Sequence, residues 1–163
     1  MKTLLMNLAN AKPYLLLITV LLSLAGRSFA QTQNPKYDKA MADSLGADDY
    51  GMKMYVLVIL KTGSAKIEDK KITDSLFAGH LQNIKRLATE GRLVVAGPMQ
   101  KNEKSYRGIF ILNVRTTEEA KVLLQTDPAV KAQLLDVELY GWYGSAALPL
   151  YLPASEKVGK LNF

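Results

Sequence analysis

The sequence predicts an α+β fold, four strands and two helices in the order β-α-β-β-α-β, the ferredoxin-like split βαβ arrangement. Three observations predict it. Apolar, β-branched runs recur at residues 53–61, 92–96, 108–114 and 135–140. Apolar residues at helical spacing occupy 76–88, between the first two runs. A capping box, Thr116-Thr-Glu-Glu119, opens a second helix between the last two.

The first thirty of the 163 residues are read as lying outside that fold. Lys2 and Lys12 stand in a head without acids, Leu15–Ala25 is almost unbroken apolar sequence, and Ser28-Phe29-Ala30 supplies small residues at a cleavage site. This three-part pattern predicts a secretory signal, residues 1–30, and a protein exported to the periplasm or the exterior with no stable membrane anchor after cleavage. The apolar run falls short of the roughly 20 residues a membrane span needs. Removing Lys2, Lys12 and Arg27 lowers the net charge from +6 to +3, with 18 basic against 15 acidic residues. A nucleic-acid partner is therefore not expected, and the Lys66–Lys71 stretch carries Glu68 and Asp69 and no aromatic.

Residues 31–50 are polar and weakly patterned, an arm with one short helical turn near Lys39–Leu45. The domain is placed at residues 51–144. Lys53–Lys61 lacks clean alternation and predicts a strand buried on both faces. Ala65–Lys71 reads as a solvated loop, and Thr73 or Asp74 as the cap of helix one. Leu76, Phe77, Leu81, Ile84, Leu87 and Ala88 fall within an arc of about 140° on that helix, leaving Lys85-Arg86 on its wet face. Glu90-Gly91 ends it. Arg92–Ala96 forms strand two, stopped by Gly97-Pro98, and Gly108–Val114 forms strand three after a polar hairpin loop. The second helix breaks at Asp127-Pro128, and a short turn over Ala129–Ala132 follows. Leu135, Val137 and Leu139 then alternate with Asp136, Glu138 and Tyr140, a fourth strand with one wetter face. Residues 145–163, with Pro149 and Pro153, read as an irregular tail.

Right-handed crossovers put both helices on one sheet face, yet strands one to three are apolar on both. The uncovered face predicts a homodimer packed sheet to sheet.

The chain holds one histidine and no cysteine. This excludes multi-histidine metal sites, zinc ribbons, iron–sulfur sites, thiol nucleophiles and an acylated-cysteine anchor, and no metal is expected. Glycine-rich phosphate and dinucleotide fingerprints are absent from the sequence, and no cofactor is expected. His80 falls inside the apolar arc. From the helix alone it is either a satisfied core residue or a base. The topology adds that the N-terminal half of helix one lies near the end of helix two, where Asp127 sits 47 positions away. A carboxylate beside an imidazole fixes its tautomer and makes the pair a general base with its orienting partner. Asp127-Pro128 also fits a plain turn. Arg107 is a candidate for holding a ligand carboxylate or a solvated strand end. Tyr140, Trp142 and Tyr143 would either line a pocket for a planar ligand or fill a dimer seam.

His80-Leu-Gln-Asn-Ile-Lys-Arg-Leu87, Gly91-Arg-Leu-Val-Val-Ala-Gly-Pro98 and Glu118-Glu-Ala120 to Asp127-Pro128 together resemble the YCII-related family over residues 53–143. The resemblance implies a dimeric α+β barrel and a pocket with a histidine–aspartate pair, roles that would fall to His80 and Asp127, with Gly97-Pro98 walling the pocket. It implies lyase- or isomerase-type proton abstraction on a small phenolic molecule or lactone. The aromatic that usually follows Asp-Pro in that family is Ala129 here. The alternative function is a non-catalytic module of the cell envelope that binds a small ligand or a protein.

Overall fold

The computed structural model describes residues 34–160. The expected signal at residues 1–30 lies outside them. Helix α1 (Lys39–Leu45) is capped by the Asp38 carboxylate and closed by Gly46 at φ 70°. Strand β1 (Met52–Thr62), helix α2 (Lys70–Thr89), strands β2 (Leu93–Pro98) and β3 (Tyr106–Leu112), helix α3 (Thr117–Leu124), helix α4 (Pro128–Lys131) and strand β4 (Leu135–Ser145) follow. The strands form one antiparallel sheet in the order β2-β3-β1-β4, which is the expected α+β, ferredoxin-like arrangement.

Helix α2 starts earlier than its apolar pattern. Asp69, not Thr73 or Asp74, caps it by accepting from the Lys71 amide at 2.8 Å. Lys70 and Asp74 pair at 2.6 Å one turn apart, so charges rather than apolar residues define the first turn. β2 runs through Gly97-Pro98 instead of stopping there. It is an edge strand, where a proline removes no ladder hydrogen bond. β3 begins at Tyr106 and ends at Leu112, two residues before the expected ends at Gly108 and Val114. Asn102 sets that start, since its side chain bonds both Gln100 and Tyr106.

Residues paired across the sheet share a face. Val58 stands opposite Phe110 and Leu139, and Val56 opposite Leu112. These pack with Leu87, Ala120, Leu124 and Val130 from the helices in the core. Each of the larger of these side chains contributes about 1.5–3 kcal/mol by leaving water. The alternate residues Leu57, Ile59, Ile109, Ile111 and Val95 are only half-buried. Apart from Tyr55, buried beside Trp142, the runs expected to be buried on both faces are thus covered on one, because the helices of a single chain pack on one side. Leu81, placed in the apolar arc, is exposed; the inward stripe of α2 is His80, Asn83 and Leu87.

The tail is not irregular throughout. The Ala146 amide bonds the Gly51 carbonyl, beside β1. A 3-10 turn (Leu148–Tyr151) and helix α5 (Leu152–Val158) follow, and the Tyr151 hydroxyl donates to the Val94 carbonyl on edge strand β2. The tail therefore bridges from the β4 side of the sheet to its opposite edge.

The arm is tied to the sheet through Asp48, whose carboxylate accepts from the Tyr50 and Met52 amides and from the Tyr143 hydroxyl. That bond to Asp48 is the main reason the Tyr143 phenol is pushed up to about 12, with burial second. The same bond, followed by the Met52 amide, lowers the Asp48 carboxyl. The sign for Tyr143 follows from a folded value above the ordinary value of about 10. The tie is fully present below pH ~10 and is lost as pH rises through about 12. For Asp48 the tie is present above the ordinary carboxylate value and is lost as pH falls through the lowered one. In an ultraviolet phenolate titration, Tyr143→Phe is expected to remove the phenol that ionises near 12. Loss of a phenol ionising near 10 would contradict the assignment.

Candidate active site

Helix α2 turns His80 inward at the same spacing that buries Asn83 and Leu87. Gly79 beside it lets the next element approach: a Cβ there would lie 2.9 Å from Pro128 Cγ. Asp127 ends the α3 segment and caps α4. Its Oδ1 accepts from the Ala129 and Val130 amides at 2.9 and 3.3 Å. Its Oδ2 lies 2.6 Å from His80 Nδ1. Asp127 is 0 % exposed and His80 8 %.

The two carboxylate oxygens therefore have different tasks. One completes a helix cap and the other faces the imidazole. Oδ1 is taken up by two backbone N–H donors, and Oδ2 stands as an acceptor toward Nδ1. Nδ1 is then the donor, and Nε2 carries the lone pair of the neutral ring. The ring plane is held as well. Phe110 stacks on it with centroids 5.8 Å apart and planes 22° apart, and Phe77 meets it edge-on at 6.4 Å. Nε2 has no hydrogen-bond partner among the described residues, and none of their fully buried side-chain nitrogens or oxygens lacks one. The His80 side chain as a whole stays 10 % exposed.

A second layer holds the two elements together. Arg86 donates to Glu90 at 2.8 and 3.0 Å, to Asn83 Oδ1 at 2.8 Å and to Thr126 Oγ1 at 2.8 Å. Thr126 in turn lies 3.0 Å from Asn83 Oδ1. Arg86 lies on the wet face of its helix, its side chain 45 % exposed, and from there it also ties α2 to the residue before Asp127.

The remaining candidates divide between the two sheet faces. Arg107 lines a cavity of about 170 Å³ with Thr62, Phe77, Leu134 and Leu135. Phe77 joins that cavity to the imidazole, which it also touches. Pro98 pairs with Gly108, on the face of Phe110 and His80, whereas Gly97 pairs with Ile109 on the opposite face. Trp142 pairs with Tyr55, at 5.6 Å between rings, and is likewise on the opposite face. Within one chain Trp142 is therefore separated from His80 by the sheet. That opposite face also carries Lys61, 3.1 Å from Glu138 and 3.2 Å from Asp136. These bonds, Glu138 first, raise the Lys61 ammonium, and Lys61, followed by Tyr140, holds the Glu138 carboxyl down.

The arrangement can take a proton at Nε2 while Asp127 stabilises the resulting imidazolium. Sequence reading missed Phe110, Gly79, Asn83 and Thr126. A glycine inside a helix, where it costs stability, was the available signal for the close approach at Gly79. The other three are placed by tertiary packing alone.

No curated protein matches the chain significantly. Among solved structures, it is similar to 5-chloro-2-hydroxyhydroquinone dehydrochlorinase from Burkholderia phenoliruptrix, solved in complex with 2,5-dihydroxybenzoquinone. Identity is 19 %, with 53 % of this chain and 92 % of that chain covered, at a TM-score of 0.39. The model of the YCII-related domain matches residues 54–142, spanning β1 to β4 and both His80 and Asp127. Over half of its length, including the whole sheet-and-helix core, the chain matches that model, and it belongs to the YCII-related family.

Proposed function

We propose that this protein is a lyase- or isomerase-type enzyme that abstracts a proton from a small molecule, with His80 Nε2 as the base and Asp127 as its orienting partner. The observation that carries this reading is the asymmetry of the imidazole. Nδ1 is engaged by a buried carboxylate at 2.6 Å, while Nε2 has no hydrogen-bond partner among the described residues and the side chain stays 10 % exposed. A core histidine needs both nitrogens satisfied, and a base needs one free. Small phenols and lactones are the substrate class that the family resemblance suggests. Arg107, at the cavity that shares Phe77 with the imidazole, would hold an anionic group of the substrate, and Pro98 would wall the same side.

The test is solvent-deuterium exchange. The full chain and His80→Gln are incubated in deuterated water with a panel of small phenols and lactones, and label at carbon is followed by proton NMR. Incorporation is expected with the wild type and should fall on the order of 10²–10⁴-fold in the variant. Equal incorporation by both would remove His80 from the role.

The reading includes export by the N-terminal segment, to the periplasm or the exterior, and a homodimer closed over the open sheet face. Leu57, Ile59, Ile109, Ile111 and Val95 supply the apolar centre of that face, with Tyr140 and Trp142 along one side. In sedimentation equilibrium the wild type is expected at twice the mass of the chain. Ile59→Lys, which places a charge at the centre of the face, is expected at the single mass with its circular dichroism unchanged. A wild type of single mass would remove the dimer from the reading.

A further inference from the structure

We propose that the cavity between Lys53 and Arg115 binds a small organic carboxylate. The cavity has a volume of about 210 Å³ and lies where α1, the start of β1 and the link from β3 to α3 meet. Leu45, Met54 and Val114 give it apolar walls, and Lys53, Asn113 and Arg115 give it polar ones. Two of those three are cations, and no wall residue is acidic.

Among the described residues neither Lys53 nor Arg115 forms an ion pair. The nearest acids along the chain from Arg115 have other partners: Glu118 faces Lys121 at 3.8 Å, and the Glu119 carboxylate accepts from the Arg115 backbone amide at 2.9 Å. Lys53 is nevertheless held in place. Its ammonium donates to the Leu45 carbonyl at 3.0 Å and lies 5.1 Å from the centre of the Tyr55 ring. One carbonyl uses one of three N–H groups, so donors remain for a ligand. Burial, and then the neighbouring Arg115 charge, lower the Lys53 ammonium. Two like charges gathered at one cavity repel, and an anion between them adds two attractions at shorter range that outweigh the repulsion.

The walls narrow the ligand. A guanidinium fork beside an ammonium suits a carboxylate, and the three apolar side chains suit an organic body attached to it. Leu45 and Lys53 lie outside residues 54–142. This cavity therefore depends on the arm that precedes the family domain, and it does not use His80 or Asp127.

The test uses benzoate as probe, titrated into the full chain and followed by amide NMR. Saturable shifts at Arg115, Asn113 and Gly46 are expected. Lys53→Met and Arg115→Gln should each weaken binding about ten-fold or more, the loss of one charge-assisted bond. Benzamide, of the same shape without the charge, should leave these amides unmoved. The benzamide comparison needs no variant and holds if either substitution fails to fold. Equal shifts with benzamide, no saturable shifts with benzoate, or undiminished binding in both variants would overturn the proposal. So would displacement of benzoate by an equal concentration of inorganic phosphate, which would mark a site for any oxyanion.

Discussion

Asp127→Asn is expected to fold and to lose turnover on the order of 10²–10⁴-fold. The reason lies in which atoms the substitution keeps. The asparagine oxygen caps a helix about as well as the carboxylate, so it can go on accepting from the Ala129 and Val130 amides. The amide nitrogen then takes the place of Oδ2, facing His80 Nδ1. Oδ2 accepts a proton; an amide nitrogen only donates one. Nδ1 must therefore become the acceptor, and the ring proton moves to Nε2, the atom proposed as the base. The cost to stability is about 1 kcal/mol, because a charge-assisted bond becomes a neutral one. With a single histidine in the chain, the nitrogen-15 spectrum of the imidazole reports the tautomer without ambiguity. Full turnover by a variant whose proton has moved to Nε2 would show that His80 is not the base. Asp127→Ala has a different outcome. It leaves two amides and the imidazole Nδ1 unpaired where Asp127 is now fully buried, and is expected to cost about 3 kcal/mol in denaturant unfolding.

Phe110→Ala is expected to be the most destabilising of the substitutions discussed here, at about 3–5 kcal/mol. The ring is 2 % exposed, in the centre of β3 and opposite Val58. Truncation leaves a void under the helices that the sheet backbone cannot collapse to fill. It also removes the surface on which the imidazole stacks. A wider range of ring orientations should then reduce turnover beyond what the fraction of folded protein explains. Phe110→Leu separates the two effects, since it restores most of the volume and none of the stacking. Stability is expected to recover to within about 1.5 kcal/mol of the wild type, with turnover remaining low. Recovery of both would assign Phe110 to packing alone.

The order of elements was legible from hydrophobic period and punctuation, which act over a few residues. The inward turn of His80 was legible for the same reason, as a position on a helical wheel. The short helix at Lys39–Leu45 and the capping box at Thr116 were legible because their chemistry is local. Boundaries set by side-chain charge were not. Asp69 capped a helix whose first turn has no continuous apolar stripe, and Asn102 fixed the start of β3 from within a loop that reads only as polar.

By itself, then, the sequence determined the order of strands and helices in the domain, its ferredoxin-like arrangement, and the approach of the segment holding His80 to the segment ending at Asp127. Tertiary structure decided what those segments do to one another. It gave Asp127 two hydrogen-bonding tasks and Nδ1 one partner, and it put Phe110 under the ring and Arg86 across to Thr126. It also put Trp142 on the far face of the sheet from His80. The physical reason is range. Propensity and periodicity are read from neighbours along the chain, whereas hydrogen-bond partners 40 or 47 positions apart are chosen by the packing of the folded layers.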